Sequence, residues 1–494
     1  MARVATSASW VLPALLLAAF VATPYLPMVD LPQHAAQIGT WLRIDDPTLL
    51  EASTFSVNLR TPYITAYVAA RAIAVLVGVI PALKLVVWGC VTLHAVAFSL
   101  VLGRLGYPRW LAPLGLPLGL GYPFFYGFVS FSAAMPLVLF AVVAALRVRE
   151  APDLRNGAAL AALLCAILTT HGFALGVAAL IVGPLLVRGH GSILARLLPF
   201  TAPVALWAVW LLPAHSVRTI GATVWEPRVA ELLVSPALWF ATSSADHAAL
   251  ALGYGALALL LVAFGRPSRS KERWAPLLFM VVGFCTFPSM FAGFGPLHPR
   301  FAAFFPLTLL LAFEPRSQPF SPRVPLLVHG LCATWFALLT WRLLGFSRET
   351  APIRDFVAHA RPRLRVRPIV FDRDSAAFPG LPALLHLPAY YMTEKGGLQG
   401  YSFAMYPTSV IRYTNAGAAL MGGGSEWHPE WFSAETELDH YDCVLVHERR
   451  DVGETLFGAR RAEVAVDFHE GDWWAYRVEP KASATRESPS KRAM

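Results

Sequence analysis

Residues 11–34 read VLPALLLAAFVATPYLPMVDLPQH. The apolar run that starts at Val11 continues to Met28 and ends on Asp30, followed by Leu31, Pro32, Gln33 and His34. An acid and an imidazole therefore stand where a first membrane-spanning helix surfaces, because charge inside the hydrocarbon is costly. Two readings of Asp30 are open. It is a general base facing a lipid-borne substrate, or it is the N-cap of the next helix, with Pro32 in that helix's first turn.

Composition sets the class around this stretch. Hydrophobic residues make up 56% and charged residues 14% of 494 positions, with mean hydropathy +0.53; a soluble domain carries about 25% charged residues. The expected fold is mainly α, a polytopic transmembrane bundle with a small C-terminal α/β soluble domain. Candidate spans lie near 9–28, 61–80, 83–102, 110–127, 128–146, 157–170, 172–187, 196–213, 247–265, 274–292, 300–314 and 324–345, or roughly 11–13 segments at about 20 residues each. The N-terminal run lacks a cleavage site and is followed by further spans, so it reads as a retained signal-anchor. Cys90, Cys165, Cys285 and Cys332 fall in apolar segments and Cys443 in the polar part, with neither disulfide nor metal spacing. The net charge of +9 is mostly arginine. In a membrane chain it reflects the positive-inside bias and anionic headgroups, and gives no nucleic-acid signal.

The short basic loops at 147–155, 188–196, 266–273 and 316–323 belong in the cytoplasm. The turn at His171, the loop 214–246, residues 293–300 and everything after about 346 then lie outside. With the N-terminus inside, Asp30 is outside too, and an odd number of crossings must reach Arg147. Four candidates intervene, so one is expected to be re-entrant or fused, with breaks at 119–123 or 131–136.

Residues 1–347 form the expected transmembrane domain, within which 30–60 read as an external loop holding an interfacial amphipathic helix. Residues 348–480 read as the external domain, with strands at 368–371 and 441–447 and a hairpin over 462–478 turning at Glu470, Gly471 and Asp472. Residues 481–494 read as a disordered tail. Tyr122, Phe124, Phe125 and Tyr126 read as an interfacial belt, the arginines of 361–367 as a solvated or headgroup-facing run, and Arg71 and Lys84 as interfacial anchors or helix-pair partners.

This layout, with Asp30, Leu31, Pro32 and His34 in the first loop, Thr169, Thr170, His171 and Gly172 between two short spans, and His298, Pro299, Arg300 and Phe301 opening a late one, resembles the GT-C glycosyltransferases. That superfamily includes aminoarabinose transferases and protein O-mannosyltransferases. The resemblance implies a multi-pass protein of the bacterial inner membrane with its C-terminal domain in the periplasm or exterior. It further implies transfer of a sugar from a polyprenyl-phosphate carrier to an envelope lipid, glycan or protein. The lone Asp30 departs from the paired acids of several members, which leaves a divalent metal an open question.

Such transfer needs a base for the acceptor hydroxyl and a cation for the departing phosphate. Asp30 is the candidate base, with inversion at the anomeric carbon, and His34 its candidate orienting partner. Arg300 suits the phosphate because a guanidinium offers a bidentate fork. His171 and His298 are candidates for sugar or phosphate, and Arg60 for the leaving group. The plainer readings are an interfacial His34, a turn histidine at His171 and an Arg300 snorkelling to the headgroups. The sequence has no P-loop, since Gly422–Gly424 lacks the strand and helix context; no His-Glu-x-x-His and no Gly-x-Ser-x-Gly motif occurs. The functional alternatives are a transporter or flippase of a lipid-linked or small polar substrate, and an envelope assembly protein.

Overall fold

The computed structural model describes residues 2–211, 223–241, 246–291, 295–418 and 427–479. The tail 481–494, Gly422–Gly424 and much of the loop 214–246 lie outside the described residues. The chain is 64% helical, and a small sheet occupies its C-terminal part. Among the described residues four helices are long and apolar enough to cross a membrane: Val79–Leu105, Val129–Glu150, Ile193–Leu211 and Arg323–Glu349. Shorter apolar helices include Ile64–Val77, Leu154–Thr170, Gly172–Val187 and His247–Ala263.

The four basic loops meet at one end of the bundle. Arg149 and Arg188 both reach the Glu272 carboxylate, at 3.6 and 3.9 Å, and Arg104 pairs with Glu150. Strands β2 (Phe264–Pro267) and β3 (Phe313–Pro315) pair antiparallel there, joined by Arg266–Glu314 at 2.6 Å. Arg196 donates to the carbonyls of Leu186, Val187, Gly189, His190 and Gly191, tying off the last turn of its neighbour and the loop beyond it.

At the other end Asp30 opens the helix Leu31–Arg43. Four candidate spans lie between Asp30 and Arg147, and the one that does not run between the two ends is the first of these, helix Ile64–Val77. Its Thr65 hydroxyl bonds to Thr169, its Tyr67 to His34, and its Arg71 lies 5.1 Å from the Trp41 ring centre. The next helix begins at the same end, because Lys84 donates to the Thr23 carbonyl just beyond Ala2–Ala22. The helix Ile64–Val77 therefore lies along the Asp30 end.

The break expected at 119–123 is present. Residues 109–125 are a 3-10 turn, Arg109–Leu114, and two one-turn helices, Gly115–Leu118 and Tyr122–Phe125. Gly115 packs on Ala95 and Phe98, and Gly119 on His94, so this broken segment runs back along Val79–Leu105. The break expected at 131–136 is absent, since Val129–Glu150 is continuous through Pro136.

In the C-terminal part, β4 (Arg365–Val370), β5 (Leu398–Gln399), β7 (Cys443–His447), β8 (Val464–Glu470) and β9 (Trp473–Val478) form a sheet of order β5-β4-β7-β9-β8. The first three strands are parallel, and β8 and β9 are the expected hairpin, turned at Gly471 with φ +55. Every residue of β7 is buried, as its apolar run requires. Two expectations are corrected here. Arg367 is not solvated, because strand alternation turns it inward to Glu437 at 2.8 Å. Tyr122, Phe124 and Phe125 are not a surface belt, because they are buried in the bundle.

The first loop and this domain form one body. The helix Leu31–Arg43 is buried along most of its length and packs against Ala389–Lys395, so it is sandwiched rather than lying bare on an interface. Strand β1 (Phe55–Val57) pairs antiparallel with β6 (Ile411–Tyr413). At the seam Arg43 donates to Glu51 (3.0 Å) and to the carbonyls of Thr393 and Met392, and the Glu51 carboxylate also accepts the Gly397 N–H. Glu51 is 1% exposed. Breaking a buried ion pair costs about 3 kcal/mol or more. Glu51→Ala is therefore expected to lower the unfolding midpoint and expose the C-terminal domain to protease in detergent; an unchanged midpoint would show that the seam is held elsewhere.

Candidate functional site

Asp30 is held from its backbone. Its N–H donates to the Tyr126 carbonyl at 3.2 Å, and the preceding Val29 N–H donates to Phe125 at 3.0 Å. Gly127 lies beneath with φ +86, and a Cβ there would stand 2.4 Å from the Asp30 nitrogen. Of the two readings of Asp30, capping is not what the side chain does. Its backbone is helical (φ −86, ψ −9) rather than extended, and the carboxylate makes no capping bond to the first turn. Instead Oδ1 lies 3.6 Å from Nε2 of His386, a buried histidine of the C-terminal domain.

His386 stacks on Tyr401, with ring centres 5.7 Å apart and planes at 7°, and meets Phe403 edge-on. Phe403 also meets His34 edge-on at 5.6 Å, and its N–H donates to Gln33 at 3.3 Å. His34 is thus one turn from Asp30, as its spacing predicts, with its Nδ1 bonded to the Tyr67 hydroxyl. Burial pushes its imidazole down to about 4, against a hydrogen bond to the Gly127 backbone. The ring is neutral near pH 7 and positions the loop without adding charge.

Arg300 stands in an aromatic box. Its guanidinium carbon is 3.9 Å from the Phe128 ring centre, 5.6 Å from that of Phe131 and 5.9 Å from that of Phe173. Nε donates to the Pro296 carbonyl and Nη1 to Nε2 of His171, each at 3.2 Å. A neutral imidazole has one acceptor nitrogen. The shorter Arg300 contact claims it, so the 3.4 Å approach of the Ala174 N–H to Nδ1 is packing only. Tyr63 and Phe131 wall the same histidine edge-on. Arg300 interacts electrostatically with Asp30, Tyr63, Tyr122 and Tyr126. Tyr126 in turn packs 5.0 Å from Phe128, linking Arg300 to Asp30 through adjoining rings and backbone.

Asp30, His34, His171 and Arg300 are therefore brought to one end of the bundle. His298 and Arg60 are not part of this group. His298 pairs with Glu231 at 3.4 Å and packs on Phe284. Arg60 is exposed at the end of the first loop, where its backbone N–H bonds to Asn58. Sequence reasoning missed His386, Tyr63, Tyr67, Tyr126 and Phe403. His386 sits in an apolar stretch far along the chain with nothing local to mark it. Among the described residues no three His, Cys, Asp or Glu side chains gather as a metal site. No family model, curated protein or solved structure matches the chain.

Two outcomes are expected. Gly127→Ala has no room for its methyl and would displace Asp30, read as a lowered unfolding midpoint together with lost function; wild-type behaviour would show that the 126–128 turn yields. The folded-state value of His34 lies below its unfolded value of about 6.5. Its contribution to stability is therefore present above about pH 6.5 and lost as pH falls through about 4. His34→Gln should flatten that limb of the midpoint-versus-pH curve, and an identical curve would refute the assignment.

Proposed function

We propose that this chain is a membrane-embedded glycosyltransferase of the GT-C type, moving a sugar from a polyprenyl-phosphate carrier to a cell-envelope acceptor on the external side of a bacterial inner membrane. The observation that carries this reading is the pairing of Asp30 with His386 at the bundle end that also holds the aromatic-boxed Arg300. Asp30 takes the proton from the acceptor hydroxyl, and that oxygen forms a bond to the anomeric carbon. The bond from carbon to phosphate oxygen breaks on the opposite face, and the leaving phosphate keeps the electron pair. Inversion follows from the in-line geometry.

Arg300 stabilises the departing phosphate. Its described hydrogen bonds use Nε and Nη1, so the fork's Nη2 side faces the task. The aromatic walls hold a cation without a carboxylate to neutralise it, so its charge remains available to an anionic ligand. The helix Ile64–Val77, lying along this end, would rest at the membrane surface, where a lipid carrier presents its head. A transporter would place its ionisable groups near the bilayer midplane, whereas Asp30, His171 and Arg300 stand at helix ends.

The test is transfer from a labelled polyprenyl-phosphate sugar pool by the reconstituted protein. Asp30→Asn, with an unchanged unfolding midpoint, should lower transfer by about 10²–10⁴-fold, the range for a lost general base. Arg300→Lys should raise the KM for donor, because a point charge replaces a fork. Wild-type transfer by Asp30→Asn would overturn the role of Asp30.

A further inference from the structure

The bundle supplies one cation to Asp30, and the C-terminal domain brings a second. Arg373 follows β4, and its guanidinium carbon lies 4.9 Å from the Trp427 ring centre. Trp427 meets His386 edge-on at 6.4 Å, and His386 reaches Asp30. Arg373, Trp427, His386 and Asp30 thus form a continuous line of contacts on the domain's side of the carboxylate, away from the Arg300 box.

Asp372 pairs with Arg449 at 3.6 Å, and Glu430, which bonds to His428 at 2.9 Å, is the acid that also feels the Arg373 charge. Arg373 is exposed and Trp427 partly so, whereas His386 is 2% exposed. The line therefore runs from open solvent to the base, the direction from which a water-borne acceptor arrives. An indole face suits the C–H face of a sugar ring, and a guanidinium suits a phosphate or carboxylate. A monophosphate donor already has its cation in Arg300.

Resting on the reading of Asp30 as the base, we propose that Arg373, Trp427 and His386 form the acceptor subsite, and that it takes a sugar carrying an anionic group. Trp427 stacks the ring, Arg373 holds the anion, and His386 keeps Asp30 directed at the hydroxyl.

The test uses the full chain in phosphatidylcholine nanodiscs and saturation-transfer NMR with glucose, glucose 6-phosphate and glucuronate as probes. The wild type should saturate one or both anionic sugars several-fold more than glucose, with the excess falling as salt rises; which of the two is preferred separates phosphate from carboxylate. Arg373→Gln should reduce the anionic sugars to the level of glucose, Arg373→Lys should retain part of the preference, and Trp427→Ala should weaken all three. Equal saturation of the three probes by the wild type, or a preference that survives in Arg373→Gln, would overturn the subsite. Asp30→Asn separates the two readings: if it transfers normally while the Arg373-dependent preference persists, the base assignment falls and the anionic-sugar site stands.

Discussion

The buried carboxylate of Glu51 is the constraint on which the site depends. A carboxylate at 1% exposure must have its partners in place. They come from both sides of the seam: Arg43 from the first loop and the Gly397 N–H from the C-terminal domain. Arg43 is fixed in turn by the carbonyls of Met392 and Thr393, so neither side can slide without stranding a charge. The β1–β6 pairing adds register, and Glu349, ending its long helix, accepts from Ser375 and from the Ala376 N–H. Residues 375–413 are thereby located against the bundle, and with them His386 and Phe403. A domain joined only by its covalent link would swing; this one is stitched beside Asp30.

Around Asp30 the charges are arranged by different physical means. Arg300 is enclosed by ring faces and by the acceptor nitrogen of a neutral histidine, which stabilise a cation without cancelling it. Asp30 has its backbone clamped by Tyr126 above Gly127, which fixes where its side chain projects, and His386 faces the carboxylate. The tyrosines between them supply hydroxyl dipoles without net charge. Such a site spends little reorganisation when a charged ligand arrives, which is the property that electrostatic catalysis requires.

Much of this was legible locally. The apolar run ending on Asp30, the helix after it, the buried strand Cys443–His447 and the hairpin at Gly471 follow from periodicity and turn chemistry. The four basic loops gather at one end as their charge predicts. What was not legible depends on contacts between distant residues. His386 acquires meaning only when the seam sets it against Asp30. Arg367 looked solvated because its run was read as a coil; read as a strand, its alternation with Val366 would have turned one set of side chains toward Glu437. Tyr122, Phe124 and Phe125 carry the composition of a surface belt, and after the break at 119–121 they fold inward.

One residue bears on how the segment 61–80 packs. Arg71 sits in the middle of the apolar run 61–80. A helix spanning there would hold a guanidinium near the hydrocarbon centre, at a cost of several kcal/mol. A helix lying along the bundle end puts the same group over the Trp41 face, 5.1 Å from the ring centre. Arg71 therefore selects the flat orientation. Val79–Leu105, the broken segment 109–125 and Val129–Glu150 then run between the two ends of the bundle, with Asp30 at one and Arg147 at the other. The start of the helix Ile64–Val77 also brings Tyr63 to His171 and Tyr67 to His34. The element that breaks the expected alternation is thus the one that joins the two halves of the site.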